Sequence, residues 1–244
     1  MIKISVVSYL NTLPFIYGLK QSKLINSYIL EMHYPSICAQ KLINNEVDIA
    51  LVPVVIIPKL TKHYVISDYC IGSNGLVDSV CVYSDVEINN IKSITLDYQS
   101  LTSVALLKVL LRDYWKLSPR LIESHVGFEN KIEHDRAALV IGDRAFPLNK
   151  KHKYVYDLSQ IWKEMTGLPF VFAIWVSNKK ISNTFISELN KSLEFGLKNI
   201  DNALLLYGNK HPLCINQKDY LNNKISYKFD AEKAHAMNVF LKKI

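Results

Sequence analysis

Short apolar runs alternate with helical spacing from the start of the chain. Runs at 2–7, 28–33 and 47–52 carry Ile, Val and Leu and end at polar or proline residues, which predicts three strands. Between them, Thr12-Leu13-Pro14 and Pro35-Ser36 predict helix starts, with Thr12 at the cap, because proline suits the first helical turn. This strand–helix–strand–helix–strand order predicts a parallel sheet with helices on its faces.

A similar alternation resumes at residue 93. Apolar runs at 93–96, 121–124 and 137–141 predict further strands, and the spacing of apolar residues from 102 to about 115 predicts a helix. From residue 182 onward the pattern is almost purely helical. The whole chain is therefore predicted to be an α/β protein.

Two further extended apolar stretches, 78–84 and 170–176, flank this middle region. They are natural places for the chain to pass from one lobe to another and to return. No Gly/Ser-rich or Pro-rich linker separates the segments, which argues against independent domains on a string. The pattern predicts two lobes in close association.

The charge balance favours small anions over nucleic acid as binding partners. The 244 residues carry a net charge of +7, from 29 basic and 22 acidic residues, but only four of the basic residues are arginine. Nucleic-acid binders cluster basic residues on one stripe, whereas here the lysines are scattered. A mildly positive field that attracts small anions, or a plain bias toward Lys, Asn and Ile, explains the excess.

Cysteine usage and the apolar runs limit the class further. The four cysteines have no paired spacing of the kind that holds zinc, and three of them lie in apolar surroundings typical of buried free thiols. The chain begins directly with a strand-like run, with no targeting segment, and its longest apolar runs are about half of a bilayer span. We expect a soluble cytoplasmic protein that neither enters a membrane nor binds nucleic acid.

Conventional catalytic motifs are absent from the sequence. It contains no G-x-S-x-G, H-E-x-x-H, Walker A or G-x-G-x-x-G pattern, and its seven histidines are dispersed. The sequence therefore predicts no cofactor and no metal site.

Two polar loops follow apolar strands and precede helices, at 8–12 and 97–103. Helix N-termini present unpaired N–H groups and the positive end of the helix dipole, so both loops could hold carboxylates. The alternative is that Thr12 and either Ser100 or Thr102 only cap their helices. Two such loops on opposite lobes would form a clamp for a small anion with two carboxylates.

Six stretches cover about three quarters of the chain in order, at 8–15, 47–54, 72–80, 96–103, 141–145 and 156–170. Together they resemble the chorismate dehydratase family of menaquinone biosynthesis, the first enzyme of the futalosine route. A sister family, the 1,4-dihydroxy-6-naphthoate synthases, opens with a Ser-Pro-Cys-Pro-Asn-Asp type of signature. This chain has Ser8-Tyr9-Leu10-Asn11 instead, which favours the dehydratase.

The resemblance implies a type 2 periplasmic-binding-protein-like fold, with two α/β lobes and the ligand in the cleft between them. Lobe one would comprise 1–82 and 175–244, and lobe two 83–174, with crossing strands near 78–84 and 170–176. The implied reaction is cofactor-free loss of water from chorismate, which gives 3-[(1-carboxyvinyl)oxy]benzoate. Oligomeric state is not predicted.

The resemblance also implies roles for individual residues. In the family, the enolpyruvyl carboxylate of the substrate is thought to act as the base, held by an Asn and a Ser. By position these are Asn11 and Ser79, with Ser73 as a rival for the second role. Thr102 and Ser103, with their backbone N–H groups, are the candidates for the ring carboxylate. The other residues expected to bind substrate or close the cleft are Ser8, Tyr9, Ser100, Gly142 and Asp143, of which Asp143 is also a candidate to receive the departing hydroxyl.

Two other functions stay open on the sequence. One is a non-catalytic protein of the same fold that binds small carboxylates, and the other is the sister naphthoate synthase. The first is disfavoured by the missing export signal, and the second by the opening signature.

Overall fold

Two β-sheets, each covered by helices, organise the chain. The computed structural model describes residues 1–211 and 214–244. The strands are β1 (Ile2–Val7), β2 (Tyr28–His33), β3 (Ile49–Pro53), β4 (Tyr64–Ser73), β5 (Val80–Ser84), β6 (Ser93–Leu96), β7 (Arg120–Glu123), β8 (Arg136–Ile141), β9 (Tyr154–Asp157), β10 (Phe170–Ser177) and β11 (Ser226–Lys228). The first sheet has the order β11-β4-β10-β3-β1-β2, and the second has the order β7-β6-β8-β5-β9.

The helices lie between these strands in the sequence. They are α1 (Leu13–Lys20), α2 (Pro35–Ile43), α3 (Leu101–Leu110), α4 (Leu158–Thr166), α5 (Asn183–Lys198), α6 (Ile200–Tyr207), α7 (Gln217–Asp219) and α8 (Ala231–Leu241). Wider π-helical turns extend α3 through 111–115 and α7 through 220–224. The helix predicted from 102 to about 115 is therefore α3 together with its final wide turn.

Both sheets mix parallel and antiparallel pairing. The predicted parallel arrangement is found where β1 pairs with β2 and β3, and again where β6 pairs with β7 and β8. Strand β10 runs antiparallel to β3 and β4, and β5 runs antiparallel to β8 and β9. The carboxyl ends of β1 and β6 lead into the two polar loops and then into helices α1 and α3.

The chain changes sheets in two places. Strand β5 lies wholly in the second sheet and β10 wholly in the first, so the connections between the sheets are the irregular segment 74–79 and the stretch from α4 to residue 169. Residues 170–174, assigned to lobe two from the sequence, pair within the first sheet. The lobe limits themselves stay a prediction.

The C-terminal region differs from the purely helical prediction at one strand. The short run Ser226-Tyr227-Lys228 forms β11, which pairs antiparallel with β4 at the edge of the first sheet. Three residues are too few for a periodicity to show, so the sequence carries no strand signal here. The turn 220–224, which precedes this strand, contacts the connection 74–79 between the two sheets, because Tyr220 lies within hydrogen-bond distance of Ser79.

Large aromatic side chains fill the core beside the first sheet. Trp162, Phe170 and Phe240 are almost wholly buried, and the ring centroids of Phe170 and Phe240 lie 4.9 Å apart. Helix α8 thus packs back onto the strands through Phe240. Cys38, Cys70 and Cys81 are buried free thiols, as predicted, and Cys214 is an exposed one. In the ranges 1–211 and 214–244, no helix combines the length and apolar character needed to cross a bilayer.

Candidate active site

A cavity lies between the two sheets, where loops from both converge. Its wall is largely apolar, and includes Val7 and Phe172 from the first sheet and Val80 and Ile141 from the second. The described residues that line it include no Asp, Glu, His, Lys, Arg or Cys. The polar groups it offers a ligand are therefore hydroxyls, an amide and backbone N–H groups.

Of the residues predicted for the site, seven line this cavity. They are Tyr9, Asn11, Ser79, Ser100, Thr102, Ser103 and Gly142. Ser8, Ser73 and Asp143 do not line it. The backbone N–H of Ser8 donates to the carbonyl of His33 at the end of β2, so Ser8 fixes the start of the loop to the neighbouring strand.

The loop after β1 is shaped by Thr12. This residue occupies the cap position of α1, as predicted, but its hydroxyl makes no capping bond. It donates instead to the carbonyls of Val7 and, at 2.8 Å, Tyr9, which closes the loop on itself. The loop is therefore a tight turn that presents Tyr9 and Asn11 to the cavity.

Asn11 brings a side-chain amide to the cavity wall. The backbone carbonyl of Asn11 accepts a hydrogen bond of 2.9 Å from the hydroxyl of Tyr227 on β11, which fixes the backbone. Its side-chain Oδ1 is buried and has no partner among the described residues. A buried amide left unpaired costs about 1–3 kcal/mol, so a ligand partner is the natural explanation. Rotation about Cβ–Cγ exchanges oxygen and NH₂, so the same amide can donate to an anion.

The two candidate serines occupy different environments. Ser79 lines the cavity, and its Oγ lies 2.8 Å from the hydroxyl of Tyr220. Ser73 is fully buried on β4, where its Oγ lies 2.5 Å from that of Ser159 on α4. Only Ser79 can therefore meet a ligand in the cavity, whereas Ser73 joins a strand to a helix.

Asp157 fixes the segment that carries Ser79. One carboxylate oxygen accepts the N–H groups of Val77 at 2.9 Å and Asp78 at 2.7 Å. The other accepts those of Ser159 and Gln160, which caps α4. Burial raises the pKa of this carboxyl, while the N–H groups of Gln160, Asp78 and Val77 oppose that rise. Asp157 lies in a stretch that supported the family resemblance, but nothing in the sequence pattern indicated this role.

The N-terminus of α3 offers fewer donors than the sequence suggested. The hydroxyl of Ser100 caps the helix by accepting the N–H of Ser103 at 3.1 Å. That N–H is therefore not free for a carboxylate, contrary to the prediction. The hydroxyl of Thr102 donates to the carbonyl of Phe172 at 3.0 Å. What remains at this wall, among the residues described, is the backbone N–H of Thr102 and the hydroxyl protons of Ser100 and Ser103.

The carboxylate of Asp143 is engaged outside the cavity. It accepts the backbone N–H of Leu10 at 3.0 Å and lies 2.7 Å from Nδ1 of His211. The first contact joins the loop after β8 to the loop after β1. The part of Asp143 in closing the cleft wall or in receiving the departing hydroxyl stays a prediction.

A second polar bridge crosses the cleft at Tyr9. The buried hydroxyl of Tyr9 donates to Oε1 of Gln99, and burial raises the pKa of that hydroxyl, so it stays neutral. Behind it, the carboxylate of Asp97 accepts hydrogen bonds from Arg144 and from the N–H of Ile141. The charged pair lies behind the wall, and the neutral tyrosine faces the cavity.

Comparison with known proteins identifies relatives over the whole chain. A family model described as menaquinone biosynthesis matches residues 2–244. A protein named chorismate dehydratase from Campylobacter jejuni is 30% identical over 245 residues, covering 97% of this chain and 94% of that protein. A chorismate dehydratase from Thermus thermophilus is 32% identical over 130 residues, covering 46% of this chain and 47% of that protein.

Solved structures identify the fold. Protein AF1704 from Archaeoglobus fulgidus is similar with a TM-score of 0.78 at 15% identity, over 99% of this chain and 96% of that one. The periplasmic aliphatic sulphonate binding protein SsuA from Escherichia coli has a TM-score of 0.62 at 10% identity, over 99% and 85%. The predicted periplasmic-binding-protein-like fold with two α/β lobes is confirmed.

We expect Gly142→Ala to destabilise the protein more than Gly167→Ala does. Both glycines have left-handed backbones, with φ of +66° and +75°, so each alanine carries strain of about 1–2 kcal/mol. Only at Gly142 does an added Cβ meet a ring, 2.8 Å from Tyr9, which adds about 1–3 kcal/mol of overpacking. Urea unfolding of both variants measures the difference, and equal losses would contradict the close approach.

Proposed function

The chain belongs to the menaquinone biosynthesis family, and we propose that within this family it is a chorismate dehydratase, a lyase that needs no cofactor. The observation that carries this proposal is the cavity, whose described lining pairs an unpartnered amide with hydroxyls and contains no charged side chain. We assign the protein to the futalosine route and to the cytoplasm.

The chemistry of chorismate explains why such a cavity suffices. The hydrogen at ring C3 is acidic because the ring carboxylate is conjugated to C3 through a double bond. Removal of this proton and departure of the C4 hydroxyl leave an aromatic ring, 3-[(1-carboxyvinyl)oxy]benzoate. The driving force lies in the substrate, so the enzyme has to orient the reacting groups, exclude water and stabilise the developing charge.

The base in this proposal is the enolpyruvyl carboxylate of chorismate itself. Asn11 and Ser79 hold it by donating neutral hydrogen bonds from one side of the cavity. An amide or a hydroxyl orients a carboxylate without strongly lowering its basicity, whereas the charge of Lys or Arg would lower it. A wall without cations therefore suits a substrate that must remove its own proton.

The ring carboxylate in this proposal lies at the N-terminus of α3. The N–H of Thr102 and the hydroxyls of Ser100 and Ser103 are the donors available there, and the helix dipole adds a favourable field. Binding at this end places the two carboxylates of the substrate on opposite sides of the cleft. The ring is thereby held from both lobes.

Incubation of the protein with chorismate tests the proposal directly. We expect the diene absorption of chorismate to be replaced by that of a benzoate, with mass spectrometry showing the loss of one water. A non-catalytic carboxylate-binding protein would bind chorismate without converting it. The sister naphthoate synthase would leave chorismate unchanged, and either outcome would reject the dehydratase.

Asn11→Ala is expected to lower kcat on the order of a hundredfold, because it removes one positioned donor to the reacting carboxylate. The melting temperature should stay nearly unchanged, since no side-chain hydrogen bond of Asn11 within the protein is lost. Asn44→Ala is the matched control, because the side chain of that exposed asparagine bonds, among the residues described, only to the side chain of Glu46. Near wild-type turnover by Asn11→Ala would reject its assigned role.

Ser79→Ala and Ser73→Ala form a second matched pair. Both remove a buried hydroxyl and one side-chain hydrogen bond, so both should cost about 1 kcal/mol of stability. Only Ser79→Ala should lower kcat, by about tenfold or more, because only Ser79 faces the cavity. Steady-state kinetics with chorismate distinguish the two serines, and a loss confined to Ser73→Ala would reverse the assignment.

A further inference from the structure

Tyr220 reaches the candidate site from a distant part of the chain. It lies in the wide turn after α7, is almost wholly buried, and its hydroxyl is 2.8 Å from Oγ of Ser79. Its ring packs edge to face on Phe146, with centroids 4.9 Å apart. Phe146 follows the Gly142–Arg144 loop of the second sheet, so the tyrosine is wedged between elements of both lobes.

The direction of the hydrogen bond between the two hydroxyls depends on what Ser79 does. A serine hydroxyl has one proton, so if Ser79 donates it to a carboxylate in the cavity, its oxygen must accept from Tyr220. Among the described residues, the hydroxyl of Tyr220 has no other acceptor. Burial raises the pKa of Tyr220, which keeps its proton in place for donation.

We propose that Tyr220 is a positioning residue that acts through Ser79, by donating a hydrogen bond that directs the serine proton toward the ligand carboxylate. This inference rests on the proposed function, because it needs a carboxylate at Ser79. The two hydroxyls and the anion form one chain of hydrogen bonds running in a single direction. Each bond in such a chain polarises and strengthens the next.

The consequence concerns orientation more than affinity. Without the tyrosine hydroxyl, Ser79 is free to rotate and its proton is no longer committed to the cavity. The substrate carboxylate still has Asn11 to bind, but it is held less often in line with the C3–H bond. A change of this kind lowers kcat while KM changes little.

A purely structural role makes a different prediction for the same residue. If Tyr220 only fills space against Phe146, then Tyr220→Phe keeps the ring and its packing and leaves kcat unchanged. A double-mutant cycle with Ser79 separates the two cases, because a residue that acts through Ser79 has nothing left to contribute once the serine hydroxyl is gone.

The test measures kcat and KM for chorismate in the wild type, Tyr220→Phe, Ser79→Ala and the double variant. We expect Tyr220→Phe to lower kcat on the order of tenfold with KM within about twofold, and the double variant to match Ser79→Ala within about twofold. Tyr28→Phe is the control, because this buried tyrosine donates to the carbonyl of Leu19, away from the cavity.

Incorporation of 3-fluorotyrosine at position 220 adds a variant that keeps both the ring and the hydroxyl. It should raise kcat above that of the wild type, because its more acidic phenol donates a stronger hydrogen bond, whereas a tyrosine that only fills space predicts no change. It therefore provides the test if Tyr220→Phe does not fold. No rise in its kcat, full activity of Tyr220→Phe, or a further tenfold loss in the double variant would overturn the inference. Absence of turnover by the wild type would instead reject the proposed function, and this inference with it.

Discussion

Carboxylates outside the cavity hold the loops of the cleft in place, while uncharged groups line its interior. Asp157 holds the N–H groups of Val77 and Asp78, and Asp143 holds the N–H of Leu10. Each of these carboxylates is engaged by backbone N–H groups, and that of Asp143 also by His211, so each fixes a loop. The remaining structure of the site follows from this separation, because loops pinned from outside can present uncharged side chains at fixed positions.

This separation has an electrostatic consequence for a bound anion. A carboxylate in the cavity is shielded from water. In such a site each hydrogen bond stabilises the anion more than it does in solution. Donors such as Asn11 and Ser79 compensate for the lost hydration without adding a countercharge that would hold down the basicity of the anion. Under the proposed function, a nearby cation would bind the substrate more tightly and weaken it as a base.

The sequence indicated the elements of this site better than its internal contacts. Strands β1 and β3 and the start of α3 were predictable, because apolar periodicity and capping residues are local signals. The contact between Ser79 and Tyr220 joins residues 141 positions apart, and β11 is too short to show a pattern, so neither could be foreseen. The Ser103 N–H was wrongly assigned to a ligand, because the capping that occupies it competes for the same donor.

Under the proposed function, the absence of a catalytic motif follows from the way the chemistry is divided between protein and substrate. A cleft that binds a dicarboxylate needs donors at two places, and the fold shared with a sulphonate-binding protein places loops from both lobes around one cavity. If chorismate supplies both the base and the aromatic driving force, orienting these groups completes the catalyst. An enzyme and a binding protein of this fold then differ in which ligand they hold and in what pose. Such an enzyme needs no acid, base or nucleophile of its own.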